Sequence, residues 1–335
     1  MLHTIRKQAA LACALAIGMA LAVPAAARPL TIAHTGTPGN SVHTFFDVFA
    51  KEIEARSKGT LVGKVHPSGE LGGDDQLLQQ IGIGTIDVTS VATANMGAMT
   101  NAYLWTDLPY IFASREHADR IFAEPSIAEA LEAQVGEAVR TKVIAYIQVG
   151  GFRMLQNTRR ELKTPSDAAG LKFRATASPI DIATIKSWGG LPTPVAWAEV
   201  FTAVQQGVVD GLNLQPSWTF LTGFGQTIKY ATRNKAVMAF HVAQMNLDLW
   251  NSLSAEEQAI VMEAAAAAQI AANAFDAEAE ADFIAKLEDQ GVAVYEPNGE
   301  ELAAWRDAAL TVWSELDGKV DAATFEMVKA VKAPE

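Results

Sequence analysis

Two arginines carry the chemistry of this chain. Arg153 and Arg174 stand 21 residues apart in a protein whose acids outnumber its bases. Arg174 closes the run Leu171-Lys172-Phe173-Arg174, which follows a Pro165–Gly170 turn and reads as a strand. A proline-broken helix with Trp197 and Glu199 comes next, then a second apolar run, Val208-Val209, ending at Asp210-Gly211. Strand, helix, strand with an arginine at the first strand's end describes an α/β unit with a cationic mouth. A guanidinium there is suited to hold a carboxylate through two parallel hydrogen bonds. Beyond Gly211, Asn213 and Gln215 offer neutral donors and acceptors, and Trp197 and Trp218 offer flat walls.

Other chemistries lack their residues. There is no Gly-x-Ser-x-Gly, Ser-x-x-Lys, His-Glu-x-x-His or Gly-x-Gly-x-x-Gly. The histidines after residue 27, at 34, 43, 66, 117 and 241, have no metal-ligand spacing, so no metal and no cofactor is expected. His34 and His43 with a nearby acid could be drawn as an acid–base pair, but a chain of this size permits many such drawings. His241, alone in an apolar run, reads as a core histidine. The glycine-rich Pro67–Asp75 stretch lacks phosphate-loop spacing and places two acids where phosphate would be repelled; it reads as a loop and an acidic helix start.

The elements that must position these residues can be read in order. Leu30–His34 is a strand, Ser41 an expected N-cap, and Val42, Phe45, Phe46, Phe49 and Ile53 one buried helix face. Thr60–His66 is the next strand, so a parallel sheet is expected. Leu77–Ile83 is a short helix closed by Gly84, and Thr85–Val88 a third strand. Thr89–Met96 is a small polar loop at that strand's C-terminal end, where open α/β sheets bind ligands, and it contributes Thr93 as a candidate. Glu116–Val135 reads as one helix and Val143–Val149 as a strand running from one domain into the other. Ser254-x-x-Glu257 is a capping box, and no glycine or proline follows until Gly291, so a helix of about 35 residues, some 50 Å long, is expected. Amphipathic helices follow near Leu302–Trp313 and Ala322–Val331.

The chain has 335 residues, half of them apolar, enough for two cores. With no repeat or linker, the domains must exchange segments. The expected division is 28–150 plus about 236–275 for lobe I, and 151–235 plus about 276–335 for lobe II. Residues 1–27 read as a signal peptide: Arg6-Lys7, an apolar run from Ala9 to Val23, and Ala25-Ala26-Ala27 as the cleavage site. Without them 24 bases face 38 acids, a formal charge of −14, which argues against nucleic acid and anionic membrane surfaces as partners. The one cysteine, Cys13, lies in that segment, so disulfides and thiolate chemistry are not expected in the exported chain. The expected location is a bacterial periplasm.

Taken together, these blocks resemble a family: the DctP-type solute-binding proteins of tripartite ATP-independent periplasmic (TRAP) transporters. Pro67–Val88, Leu108–Phe112 with Glu116-His117-Ala118, Gly151-Phe152-Arg153, Thr164–Arg174, Pro194–Val200 and Gly207–Gly211 follow the family's order over nearly the whole exported chain. The resemblance implies an α/β, two-lobed (Venus-flytrap) binding protein with a long helix spanning both lobes. It implies an organic-acid ligand, partner permease subunits in the membrane, and no enzyme activity. It carries the principal carboxylate contact onto Arg174, an assisting arginine onto Arg153 and a pocket aromatic onto Trp197. One departure stands out. Many members read Gln-Glu-Asn-Pro after Asp-Gly, whereas Leu212-Asn213-Leu214-Gln215-Pro216 is one residue longer; an ungapped alignment puts Leu214 in the asparagine's place, so either Asn213 replaces that contact or the contact is lost, and the ligand's identity is open. A binding protein feeding a sensor, or an enzyme on the same scaffold, remain alternatives at this level.

Overall fold

The computed structural model describes residues 27–334. The expected signal peptide lies almost wholly outside them. The first lobe opens with β1 (Arg28–His34), α1 (Ser41–Arg56), β2 (Leu61–His66), α2 (Asp74–Ile83) and β3 (Val88–Ala92). It continues through α3 (Arg115–Ala123), α4 (Pro125–Val139) and the long strand β4 (Thr141–Phe152). The second lobe holds β5 (Met154–Asn157), β6 (Lys172–Ala175), α5 (Pro179–Ser187), β7 (Leu191–Pro194), α6 (Trp197–Gln205), β8 (Gly211–Leu214), α7 (Pro216–Leu221) and β9 (Tyr230–Thr232). The chain then returns as β10 (Met238–Asn246) and α8 (Leu247–Ser252), and α9 (Ala255–Asp289) follows. It closes with β11 (Ala293–Tyr295), α10 (Gly299–Leu310) and α11 (Ala322–Ala330).

Two mixed sheets result. The first runs β2-β1-β3-β10-β4, the second β11-β9-β5-β8-β6-β7. The parallel pairing expected from the early strand–helix–strand units is present between β1, β2 and β3, while β10 enters antiparallel between β3 and β4. Apolar side chains fill both faces of each sheet: Phe45, Phe46, Phe49 and Ile53 under α1, Leu131, Val135 and Phe240 on the opposite face, and Trp188 edge-on to Trp305 in the second lobe.

Several elements differ from the sequence reading, each for a local reason. Asn40, not Ser41, caps α1: its side-chain oxygen accepts from the His43 amide at 2.9 Å. The single helix expected over Glu116–Val135 is two, because Pro125 has no amide hydrogen to donate and instead starts α4. The third strand lies at Val88–Ala92, because the left-handed cap at Gly84 (φ 75°) delays extension. Val208-Val209 is not a strand. Both amides bond back to Ala203 O as α6 winds down, and extension starts at Gly211. The end of the chain, expected wholly with lobe II, divides: α10 packs on α5, but Thr324 of α11 accepts from Gln134 on α4 in the first lobe.

The chain crosses between lobes where β4 passes into β5 and where β9 returns to β10. The crossings are bonded to each other, Arg153 N to Val237 O at 2.8 Å. Helix α9 is the third connection. Its 35 residues start with the reciprocal Ser254–Glu257 box, and it touches α1 and β4 of one lobe and α7 and β11 of the other. Ala264, Ala265, Ala268 and Ala272 are buried on it, and these small residues let its backbone lie close to its neighbours. Glu280 of α9 binds Arg115 of the first lobe at 2.8 Å and Arg233 of the second at 3.2 Å.

Candidate functional site

The C-terminal ends of β3, β6 and β8 and the start of the antiparallel β10 face one cleft. About 470 Å³ there, open solvent at the mouth included, is free of protein atoms. Arg174 extends into it from β6. It is 8% exposed, its Nε donates to Val195 O at 3.1 Å, and its guanidinium carbon lies 6.0 Å from the Trp197 ring centroid. That bond and the ring fix the plane of the guanidinium, while its terminal nitrogens have no hydrogen-bond partner among the described residues. Burial draws its pKa down to about 10, so it stays charged at neutral pH.

Arg153 reaches the cleft from the β4–β5 crossing. One terminal nitrogen lies 4.0 Å from Asp181 Oδ1, and its buried Nε has no partner among the described residues. Asp181 is held in turn by Thr176, whose amide and hydroxyl donate to Oδ2 at 2.7 and 2.9 Å. Nearby Asp107 is pushed up to about 7 by burial, which the charge of Arg153 opposes.

Trp197 opens α6 and meets Trp218 edge-on at 5.0 Å, so the two indoles form one corner of the cleft. Asn213 on β8 and Gln215 just after it also line the space, and the buried Asn213 Oδ1 and Trp218 Nε1 have no protein partner among the described residues. Six of the seven candidates therefore meet in one cleft. Thr93 does not: its hydroxyl faces inward and accepts from Thr106 Oγ1 at 2.9 Å. The loop expected at Thr89–Met96 is only partly a loop: Thr89–Ala92 belong to β3, and in the turn that follows Asn95 is the residue that lines the cleft.

Sequence reasoning missed Thr35, Asp74, Asn95, Thr176 and His241 on the lining. Asp74 was visible only as part of an acidic helix start. His241 is a core histidine as read, bonded to Ser90 Oγ at 3.2 Å and held below its ordinary pKa by burial, yet its ring also borders the cleft. Glu199 and Asp210 stand outside the inner cleft. Glu199 is exposed in the first turn of α6, and Asp210 binds Arg159 Nε and the Lys172 amide. The drawn His34–His43 pair has no carboxylate within ion-pairing distance among the described residues. His34 stacks on Phe46, and burial takes its pKa down to about 3.

Gly150 sits at φ 66°, and a Cβ there would fall 2.6 Å from Ser217 Oγ and 2.7 Å from Gln215 Cβ. Gly150→Ala is expected to cost about 1–3 kcal/mol, read as a lowered melting temperature of the unliganded chain. An unchanged melting temperature would mean that the crossing adjusts freely at this point.

Comparison with known proteins places the chain in context. Residues 32–319 match the family model DctP, described as bacterial extracellular solute-binding protein, family 7. The C4-dicarboxylate-binding periplasmic protein DctP of Rhodobacter capsulatus is 27% identical over 334 residues, 97% of each chain. A TRAP periplasmic solute-binding protein from a Bordetella species, with density assigned to pantoate, superposes with TM-score 0.85 at 29% identity, covering 91% of this chain and 99% of that one. Another, from Polaromonas and bound to D-erythronate, gives TM-score 0.84 at 27% identity over 91% and 99%.

Proposed function

The chain belongs to the DctP family of bacterial extracellular solute-binding proteins, and from that premise we propose that it captures a small organic acid for a TRAP transporter. The observation that carries this reading is Arg174: a buried guanidinium, held by Val195 and Trp197, whose free end opens into the cleft between the lobes. The ligand's carboxylate lies on that free end through two parallel hydrogen bonds. Arg153 assists it, the Trp197–Trp218 corner covers the carbon skeleton, and Asn213 and Gln215 meet its polar groups. The ligands named for the relatives, pantoate, D-erythronate and C4-dicarboxylates, support a carboxylate.

The protein works by closure, not by catalysis. A ligand that touches both lobes binds the closed form better and shifts the population toward it, by no more than that difference in affinity. Closing expels water and strengthens the ion pair. The loaded, closed form then docks on the permease subunits in the membrane, whose ion gradient drives uptake. The place of action is the periplasm, reached through the signal at residues 1–27.

The test is a thermal-shift screen of residues 28–335, refolded to remove carried ligand, against small organic acids and their amides. A large upward shift with an acid and none with its amide is expected. Equal shifts for acid and amide, or shifts with uncharged polyols alone, would overturn the carboxylate reading.

A further inference from the structure

The cleft holds a second charge of opposite sign. Asp74, in the first turn of α2, is 7% exposed and lines the inner cleft together with Arg174 and Arg153. Thr35 Oγ1 donates to its Oδ1 at 3.1 Å and Asn95 Nδ2 to its Oδ2 at 2.6 Å. Both partners are neutral, both face the cleft, and no base lies within 4.0 Å of the carboxylate among the described residues. A carboxylate accepts about four hydrogen bonds, so Asp74 retains room for a donor from the cleft. Its helix position alone does not account for it. Asp75, beside it, is exposed and complements the start of α2 without reaching the inner cleft.

The geometry points to a ligand whose carboxylate lies on Arg174 and whose body carries a hydroxyl that donates to Asp74: a hydroxylated monocarboxylate, not a dicarboxylate. This assignment rests on the carboxylate reading above. A second carboxylate would meet a buried like charge that has nothing to donate. A bare alkyl chain would leave the open acceptor sites of Asp74 desolvated and unpaired. A hydroxyl also serves the other orphaned groups of the cleft, since it accepts from Trp218 Nε1–H while donating to Asp74 or to Asn213 Oδ1. An ammonium can only donate, and would leave the indole N–H without an acceptor.

The experiment is isothermal titration of refolded residues 28–335, as wild type, Asp74→Asn and Asp74→Ala. The panel is matched by length: butanoate, its 2-, 3- and 4-hydroxy derivatives, 2-aminobutanoate and succinate, then hexanoate, gluconate and adipate. At one length or both, a hydroxy acid is expected to bind wild type at least tenfold more tightly than the plain acid and the diacid. Asp74→Asn is expected to improve diacid binding at least tenfold, and Asp74→Ala to bring hydroxy and plain acids within about threefold. Melting curves of the unliganded variants check folding, and if Asp74→Ala fails to fold, the diacid result with Asp74→Asn decides. A wild type that prefers the diacid or the amino acid would overturn the assignment, as would a hydroxyl preference unchanged in the folded variants. Binding of plain acids and hydroxy acids alike would sink the role of Asp74 and leave the carboxylate reading standing. Binding of no acid in the panel would overturn both.

Discussion

Arg174→Met is expected to weaken binding of the acid by about 30- to 4,000-fold while leaving the fold intact. Removing one partner of a buried, hydrogen-bonded charge pair costs about 2–5 kcal/mol, and each 1.4 kcal/mol is about tenfold in affinity. Much of that cost is the carboxylate left in a closed cleft with no donor. The fold should tolerate the change. Among the described residues Arg174 makes one side-chain bond to protein, to Val195 O, and an apolar replacement also removes the burden of a buried charge, whose burial draws the arginine's pKa down to about 10. Arg174→Lys keeps the charge but loses the planar fork, so an intermediate loss is expected. Titration with the acid identified in the screen measures both variants. Affinity of Arg174→Met within threefold of wild type would remove this arginine from the centre of the site.

The second large effect concerns stability against pH. Asp276, in the middle of α9, is 2% exposed, and its Oδ2 accepts from the Gly150 amide at 2.6 Å. Burial pushes its pKa up from 3.8 to about 7, opposed by the Gly150 bond and the charge of Arg115 and reinforced by that of Glu280. The folded chain therefore keeps this proton to higher pH than the unfolded chain does. Folding takes up a proton between about pH 4 and pH 7, so stability falls as pH rises through that window and levels off above it. The shift corresponds to a loss on the order of 2–4 kcal/mol by pH 8. Asp276→Asn, neutral throughout, should match wild type near pH 4 and melt several degrees higher at pH 8. Asp107, also raised to about 7, acts in the same direction, so a shallower decline remains in the variant. Parallel melting curves for the two proteins between pH 4 and pH 8 would show that Asp276 titrates normally.

The local rules that made parts of this fold readable are those that need no distant partner. The long helix was legible because a capping box, an unbroken run and a terminal glycine are all written in one stretch, and Ala255–Asp289 follows them. Arg174 was legible because a strand's end and a basic residue coincide in sequence. The strand at Gly211–Leu214 was not, because its weak LNL pattern is set by its neighbours. It lies against Met154–Asn157, where a side chain at Gly211 would strike Gln156 O. Asp74 and Asn95 are 21 residues apart on separate elements, and only the packing of α2 beside β3 makes them partners. Thr93 failed for a smaller reason. In the tight turn after β3, neighbouring side chains point in different directions, and composition does not say which one turns outward.

The bonded pair of crossings and the continuous α9 have a mechanical consequence. A single thread between two bodies is a swivel, but these three lines of attachment, joined by the return from α10 to α11, suppress sliding and torsion and leave tilt about one axis. The far wall of the cleft then moves as the end of a lever. A change of a few degrees at Gly150 or Asp276 displaces the groups at the jaw by an amount that grows with their distance from the axis. Residues that never touch the ligand thus set how accurately the two halves of its coordination meet.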